Sequence, residues 1–510
     1  LTMKKFGALR QAAMSMFAVG TRLDGSLMQR RLKGDGSISS IIVATTLIGI
    51  TFSYFWESQN PYSWYFRNGY PKVLLVIYVL TLFSIVSLVS LLLIAKYKPT
   101  EYMDAVEIKD PVSKMLNVFL FLFAIGIVVY ELINIIIDLQ CYFEVYHLQT
   151  SGNYLISSFG RVAEATFAFL QFVVIANISD KRLRRKIATY YLISTIILTN
   201  VSMWFFTLFR LMYGYTSKLP ANLTEHATET EMCYWNSSIR TDILQPMNGI
   251  LIPVQQEYSL LCICILATMF PSYYNFLRQT HPEGVLYNDK TNEFIFGSCP
   301  LHTKKRILIS VVSVLIFLPA TAVAFLREFK DTTYLQIEWE YCATMPVFVL
   351  ICLIFRGFHV IKTEMGSIND SRIIGNILNN DILFLVSSCG QFTNDVTLII
   401  YSVHTGAPKL RIIKSVLLIL QVFYQTVFIM ILKRLPSSQY RRVYGVLLSL
   451  LIGNLILWAF NDVQAFMIST SEDDIVGFRK EWPTARQAIY SLVCFYRFQS
   501  FVSLYRFCKL

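Results

Sequence analysis

Two kinds of amide side chain recur at one spacing inside apolar runs of the sequence. Asn200 stands in "LTNVSMW" and Asn454 in "GNLILW", and in both runs a tryptophan follows four residues later. Gln171 in "FAFLQFVVIA" and Gln425 in "VFYQTVFIM" form a second pair, and the members of each pair are 254 positions apart. An amide buried in a membrane needs an internal hydrogen-bond partner, usually on a neighbouring helix. The shared spacing predicts a chain that is built twice, with a structural polar pair at the same place in each half.

Two carboxylates also stand in or beside apolar runs, where an ionisable group is costly and therefore a candidate functional residue. Glu257 enters such a run directly after two glutamines, in "IPVQQEYSLL". It is either an interfacial carboxylate at the outer membrane face or a proton-accepting group in a water-filled vestibule, and we expect the second. Glu164 precedes Gln171 by seven residues and shares its helix face. The alternative role for Glu164 is a structural ion pair with Arg161, three residues earlier.

The elements that position these residues are predicted from composition and length. Hydrophobic residues make up 55% of the 510 residues and charged residues 15%, against roughly 25% charged residues in soluble domains. Twelve apolar segments are long enough to cross a bilayer as helices. We therefore expect an all-α polytopic membrane protein with twelve transmembrane helices in two six-helix halves. The predicted organisation is an N-terminal arm (1–37), the first half (38–277), a linker (278–304) and the second half (305–510).

The net charge of +12 is concentrated in short connections rather than spread as a nucleic-acid surface. Basic residues crowd the N-terminal arm, the stretch "DKRLRRK" (180–186) and the stretches at 302–306 and 433–442. Short loops rich in Lys and Arg stay in the cytoplasm, so both termini and the linker are expected there. The basic stretch at 408–414 is an exception, because this topology places it outside.

The connection after the fifth predicted span is expected to be extracellular. It contains two glycosylation acceptor sequences, at Asn222 and Asn236, and such acceptors belong on that side. Cys141 follows the third span and Cys233 lies in this same connection. Both would face the oxidising side of the membrane, where they can form a disulfide.

Signatures of soluble enzymes are missing from the sequence. It has no phosphate loop, no Cys-x-x-Cys pair, no His-Glu-x-x-His motif and no nucleophile elbow. None of its six histidines lies well inside a predicted span. We therefore expect a protein that is not an enzyme, with no cofactor, no metal centre and no nucleic-acid partner.

Six stretches, in order along the chain, resemble the otopetrin family of proton-selective channels. "FAFLQFVVIA", "LTNVSMW" and "IPVQQEYSLLCICIL" are similar to the family's fourth, fifth and sixth spans. "LQVFYQTVFIMILKR", "GNLILW" and "FYRFQS" (495–500) are similar to its tenth, eleventh and twelfth spans. The resemblance implies twelve helices in two pseudo-symmetric halves, assembled as a homodimer in the plasma membrane.

The resemblance also implies a function and a set of site residues. The family's Gln-Asn-Tyr triad, at the contact between its two halves, maps onto Gln171, Asn454 and Tyr496. Two departures concern histidines of the family, which are replaced by Thr195 and Gln499 in this chain. Since imidazoles titrate near physiological pH, the pH range of better-known relatives does not carry over directly.

The function expected from the sequence is an acid-responsive, proton-selective channel, with protons as the permeant ion and membrane lipid around it. Glu257 would be a relay acid, with Glu164 the next candidate. The alternatives are a multispan chemoreceptor and a secondary transporter. Twelve spans and a repeat do not suit a seven-span receptor. A transporter built from six-plus-six repeats favours broken helices at matching positions of both halves, and Pro253 in span six has no counterpart in span twelve.

Overall fold

The structure is a computed structural model, and almost all of the residues it describes are helical. The described residues are 39–47, 49, 69–105, 112–144, 152–178, 181–184, 186–214, 233, 236–269, 303–329, 334–365, 379–404, 409–433, 440–470 and 482–509. The predicted N-terminal arm and most of the predicted linker lie outside these ranges.

Long helices follow one another along the described chain. In chain order they are α1 (39–47), α2 (Gly69–Tyr97), α3 (Ser113–Glu144), α4 (Gly152–Ile178), α5 (Ile187–Gly214), α6 (Gln245–Met269), α7 (Thr303–Phe329), α8 (Tyr334–Met365), α9 (Asn379–His404), α10 (Lys409–Leu432), α11 (Tyr440–Thr470) and α12 (Trp482–Lys509). A π-helical turn, Arg240–Leu244, leads directly into α6. Pro253 lies inside α6, where a membrane helix tolerates it if neighbouring groups satisfy the freed backbone carbonyl.

Nine of these helices, within the part of the chain that the structure describes, are long and apolar enough to cross a membrane. They are α2 to α6 and α8 to α11. The prediction of an all-α polytopic membrane protein is confirmed, and the count of twelve crossings stays a prediction. α12 is not among the nine, although it has 28 residues. It carries Arg497 and Gln499 in its middle and Arg506 in its last turn, and these lower its hydropathy.

The first compact unit comprises 1–247 and 254–289. In it, α2 packs against α4 and α5, and α3 packs against α4. Gly160 on α4 lies directly against the ring of Tyr78, so the missing side chain lets α2 and α4 approach closely. Ser84 on α2 shares a 2.6 Å hydrogen bond with Thr199 on α5. Small and polar residues therefore form the helix contacts of this unit.

The second compact unit comprises 248–253 and 290–510. In it, α8 packs against α10 and α11, α9 packs against α10 and α12, and α11 packs against α12 and α7. Gly453 on α11 receives the ring of Phe317, and Gly357 on α8 receives that of Phe428. The neighbours α2–α4, α2–α5 and α3–α4 of the first unit thus have counterparts in α8–α10, α8–α11 and α9–α10.

A short antiparallel sheet joins two connections of the first unit. Strand β1 (Met103–Ala105) follows α2 and pairs with β2 (Lys181–Leu183), which follows α4. Next to the strands, Lys186 Nζ lies 3.2 Å from Glu101 Oε1. The two connections therefore lie on one side of the membrane, as the predicted topology requires.

Candidate functional site

The polar centre of the second unit is a pair of amides between α10 and α11. Gln425 Nε2 donates to Asn454 Oδ1 at 2.9 Å, and Asn454 Nδ2 donates to Gln425 Oε1 at 3.2 Å. Asn454 Nδ2 also donates to the carbonyl of Leu450 at 2.8 Å, and Gln421 Nε2 donates to Gln425 Oε1 at 2.6 Å. The three polar side chains are fully buried. The structure thus brings together Gln425 and Asn454, each of which the sequence singled out separately.

Tyr496 fixes α12 to α10 beside these amides. Its hydroxyl donates to the carbonyl of Val422 at 3.1 Å and lies 3.1 Å from Thr426 Oγ1. Its ring stacks on Phe384, with centroids 5.4 Å apart and planes 16° apart. Gln499 and Ser500, which also interrupt the apolar pattern of this helix, are buried as well. α12 therefore presents its polar residues to protein, as expected for a helix with so many of them.

A buried charge lies next to Tyr496 and was not predicted as a site residue. Arg497 is 2% exposed, and its Nη1 donates to Asn454 Oδ1 at 3.4 Å. The guanidinium lies 5.7 Å from the centroid of the Tyr496 ring. It also interacts electrostatically with Asp395 on α9.

Asp395 is fully buried and is held by two amides of its own helix. Gln391 Nε2 donates to Asp395 Oδ2 at 2.8 Å, and Asn394 Nδ2 donates to Asp395 Oδ1 at 3.2 Å. Asp395 was not predicted as a site residue. Its signal was the polar run "SSCGQFTND" (387–395), which interrupts an apolar helix.

The first unit contains a closely matched arrangement. Asn200 Nδ2 donates to the carbonyl of Ile196 at 2.8 Å, as Asn454 does to the residue four positions earlier. The hydroxyl of Tyr258 donates to the carbonyl of Ala168 at 2.6 Å. Ala168 precedes Gln171 by three residues. Val422, whose carbonyl accepts from the Tyr496 hydroxyl, likewise precedes Gln425 by three. The 254-residue spacing therefore extends from the amides to the backbone carbonyls that accept from the two tyrosines.

The amides of the first unit differ from those of the second in their hydrogen bonding. Gln171 and Asn200 are fully buried. Among the described residues, both amide atoms of Gln171 and the Oδ1 atom of Asn200 have no hydrogen-bond partner. A buried amide without a partner costs about 1–3 kcal/mol, and water commonly removes this cost. The first unit thus has unused donors and acceptors at the position where the second unit has a closed pair.

Glu257 and Glu164 are buried acids of the first unit, with exposures of 2% and 5%. The wet vestibule around Glu257 stays a prediction. Its helix α6 is the most buried of the candidate spans, with 72% of its most apolar stretch buried against 39–56% in the others. Gln256 beside it is buried too, and its Nε2 atom has no hydrogen-bond partner in the described chain.

The arginine near Glu164 has two carboxylate partners on α3. Arg161 Nε lies 2.7 Å from Asp138 Oδ2, and its Nη1 lies 3.3 Å from Glu131 Oε2. Ser157 Oγ also donates to Asp138 Oδ2, at 2.8 Å. All three charged groups are buried. The sequence spacing suggested an ion pair of Arg161 with Glu164, whereas the two acids on α3 were not predicted.

The structure describes three of the four residues that were predicted for the extracellular side. Cys141, at the end of α3, forms a disulfide with Cys233, with Cα atoms 5.7 Å apart. Asn236 is exposed, and Asn222 lies outside the described residues. Because the disulfide joins the end of α3 to the connection after α5, these two segments lie on one side of the membrane.

The fold and these buried groups define an α-helical membrane protein that crosses the bilayer many times and keeps amides, acids and arginines inside its helix bundles. A model of the otopetrin family matches residues 213–498, which is more than half of the chain. The chain therefore belongs to the otopetrin family, a family of membrane proteins known as proton channels and not as enzymes. The resemblance found in the sequence is confirmed. A comparison with curated proteins found no match.

Proposed function

We propose that this protein is a proton-selective channel of the plasma membrane that responds to acid and works as a homodimer. The observation that carries the proposal is the set of buried groups in the first unit. These are Gln171 and Asn200, with unused hydrogen-bonding atoms, and the acids Glu164 and Glu257. Ionisable and polar groups at membrane depth are costly, and they are retained chiefly along ion and proton routes.

A route of this kind suits protons better than metal ions. An amide offers two donors and an acceptor oxygen, and a carboxylate takes up a proton directly. Water molecules held between such groups pass a proton along hydrogen bonds without a wide opening. A hydrated metal ion needs a pore lined by ligands that replace its water shell. The high burial of α6 therefore favours proton selectivity.

Each candidate residue has a role in the proposal. Glu257 takes up and releases protons as the relay acid, and Glu164 is the second acid of the same unit. Gln171 orders the network between these two acids. Asn454 and Tyr496 are the other residues that the family resemblance implies. Asn200 and Gln425 are the structural polar residues of the repeat, and they correspond to Asn454 and Gln171 in the other half.

An internal repeat is part of the proposal, with six helices in each half. The matched hydrogen bonds of Asn200 and Asn454 support it, as do those of Tyr258 and Tyr496. In an experimental structure, residues near 160–251 should superpose on those near 414–505 with the two asparagines together. A superposition that puts the two asparagines in different registers would refute the repeat.

The test of the function is electrophysiology in cells that express the chain, with sodium and potassium replaced by a large organic cation. A proton channel gives an acid-evoked current whose reversal potential follows the proton gradient. A current that requires sodium, or no current with the protein at the cell surface, contradicts the proposal.

A further inference from the structure

Two tyrosines allow positions of α6 and α12 to be matched. The hydroxyl of Tyr258 donates to the carbonyl of Ala168 and that of Tyr496 to the carbonyl of Val422. The two acceptors are 254 residues apart, and the two tyrosines are 238 residues apart. The stretch from the acceptor carbonyl to the tyrosine is therefore 16 residues longer in the first unit than in the second. With the tyrosines matched, each following residue of α6 corresponds to one of α12.

The residue after the tyrosine differs in charge between the two units. In the second unit it is Arg497, whose Nη1 donates to Asn454 Oδ1. In the first unit it is Ser259, which is buried and whose hydroxyl donates to the carbonyl of Gln255 at 3.1 Å. The second unit thus has a buried cation at the polar pair, where the first unit has a small hydroxyl.

Arg497 interacts with one buried carboxylate in the described part of the second unit. The titratable groups that interact with it are Asp395 on α9 and the hydroxyls of Tyr490 and Tyr496 on its own helix. Asp395 also interacts with a second cation, Lys414 on α10. One carboxylate is therefore shared by two cations. The buried cluster of the first unit has the opposite balance, because Arg161 is shared by Asp138 and Glu131.

From this difference we propose that Arg497 closes the second unit to protons and that the proton current runs through the first unit. A guanidinium donates hydrogen bonds and has no acceptor, so a proton cannot be passed along a chain that ends on it. Its fixed positive charge also repels an excess proton, as an arginine does in other proton-excluding pores. This inference rests on the proposed function, since it assigns the route of the proposed current.

The test exchanges the two residues and uses full-length protein in whole-cell recordings, normalised to surface protein. Ser259→Arg places the cation in the first unit and should reduce the acid-evoked current at least about tenfold through charge repulsion. Ser259→Ala is the matched control and should conduct like the parent. Arg497→Ser removes the cation and should increase the current about twofold by opening a second route. Arg497→Lys keeps a donor-only cation and should leave the current unchanged.

Three results overturn the inference. The first is a Ser259→Arg variant that reaches the surface and conducts like the parent. The second is a Ser259→Ala variant that loses as much current as Ser259→Arg, and the third is an Arg497→Ser variant that loses current at a normal surface level. If Arg497→Ser does not reach the surface, the comparison of the two Ser259 variants still decides the route. A parent protein without proton current refutes the proposed function itself, whereas a conducting parent with an unaffected Ser259→Arg variant refutes the route alone.

Discussion

Gln425 and Asn454 exchange two hydrogen bonds between α10 and α11, at 2.9 and 3.2 Å. Removing the Gln425 amide leaves Gln421 Nε2 without its acceptor and takes one partner from each amide atom of Asn454. A buried polar group left unsatisfied costs about 1–3 kcal/mol. We therefore expect Gln425→Leu to lower the thermal unfolding temperature of the purified protein. The matched control is Gln171→Leu, because the amide of Gln171 has no partner among the described residues.

The two variants should also separate stability from conduction. Gln171→Leu removes an amide without breaking a pair, so its unfolding temperature should stay near that of the parent while its proton current falls. Equal losses of stability in Gln171→Leu and Gln425→Leu would show that both amides are structural pairs. The readouts are fluorescence-detected thermal unfolding and whole-cell current.

Positions of helices and of single polar residues were predictable from sequence, because they depend on local hydropathy. Asn200 and Gln171 stood out as polar residues in apolar runs, and both are buried. Contacts between helices were harder to predict from the sequence. Spacing suggested Glu164 as a partner of Arg161, but it did not indicate the ion pairs of Arg161 with Asp138 and Glu131, 23 and 30 residues earlier in the chain.

The environment of each residue was the least predictable property. The two glutamines before Glu257 drew attention to this acid, but they did not show how deeply packing around α6 buries its side chain. Asp395 and Arg497 lie about 100 residues apart, and their interaction depends on how α9 and α12 pack. No local sequence pattern predicts how these two helices pack.

The buried ion cluster of the first unit should be essential to its folding. Arg161→Met leaves Asp138 and Glu131 without their cation, and breaking a buried pair in this way costs roughly 3–5 kcal/mol. We expect little protein at the cell surface and a strongly lowered unfolding temperature. The triple variant Arg161→Met, Asp138→Asn, Glu131→Gln removes all three charges and should recover much of the loss.

An exposed ion pair provides the control for this cluster. Lys186 and Glu101 form a pair on the surface of the first unit, with side-chain exposures of 42% and 47%. Exposed pairs contribute about 0–1 kcal/mol, so Lys186→Ala should unfold near the parent temperature. If Arg161→Met were as stable as Lys186→Ala, the cluster would not hold α3 to α4.

The connection between about Met212 and Asn248 should be extracellular and carry sugar at Asn222 or Asn236. Treatment of cell-expressed protein with a glycosidase should increase its mobility in gels. The double variant Asn222→Gln, Asn236→Gln should already migrate at that position. A tag inserted near residue 226 that antibodies reach only after permeabilisation would contradict this topology.

The disulfide between Cys141 and Cys233 provides a second test of the prediction that this connection is extracellular. When free thiols are labelled with a maleimide reagent, reduction should increase the labelling of the parent. The increase should be smaller in the double variant Cys141→Ser, Cys233→Ser, which lacks these two thiols. Closing a loop of this length typically stabilises a protein by about 2–4 kcal/mol. The double variant should therefore unfold at a lower temperature than the parent.

Glu257 should be the main proton-accepting group of the first unit. Glu257→Gln keeps the shape and hydrogen bonding of the side chain but cannot take up a proton, so the acid-evoked current should fall or its pH dependence should shift at normal surface expression. Glu257→Asp retains a titrating group with a shorter reach and should keep part of the current. The matched control is Gln256→Glu, which adds an acid one residue away and should not restore conduction to a protein that also carries Glu257→Gln. If Glu257→Gln conducts like the parent over the whole acid range, the carboxylate is structural, and Glu164→Gln becomes the variant that must lose current.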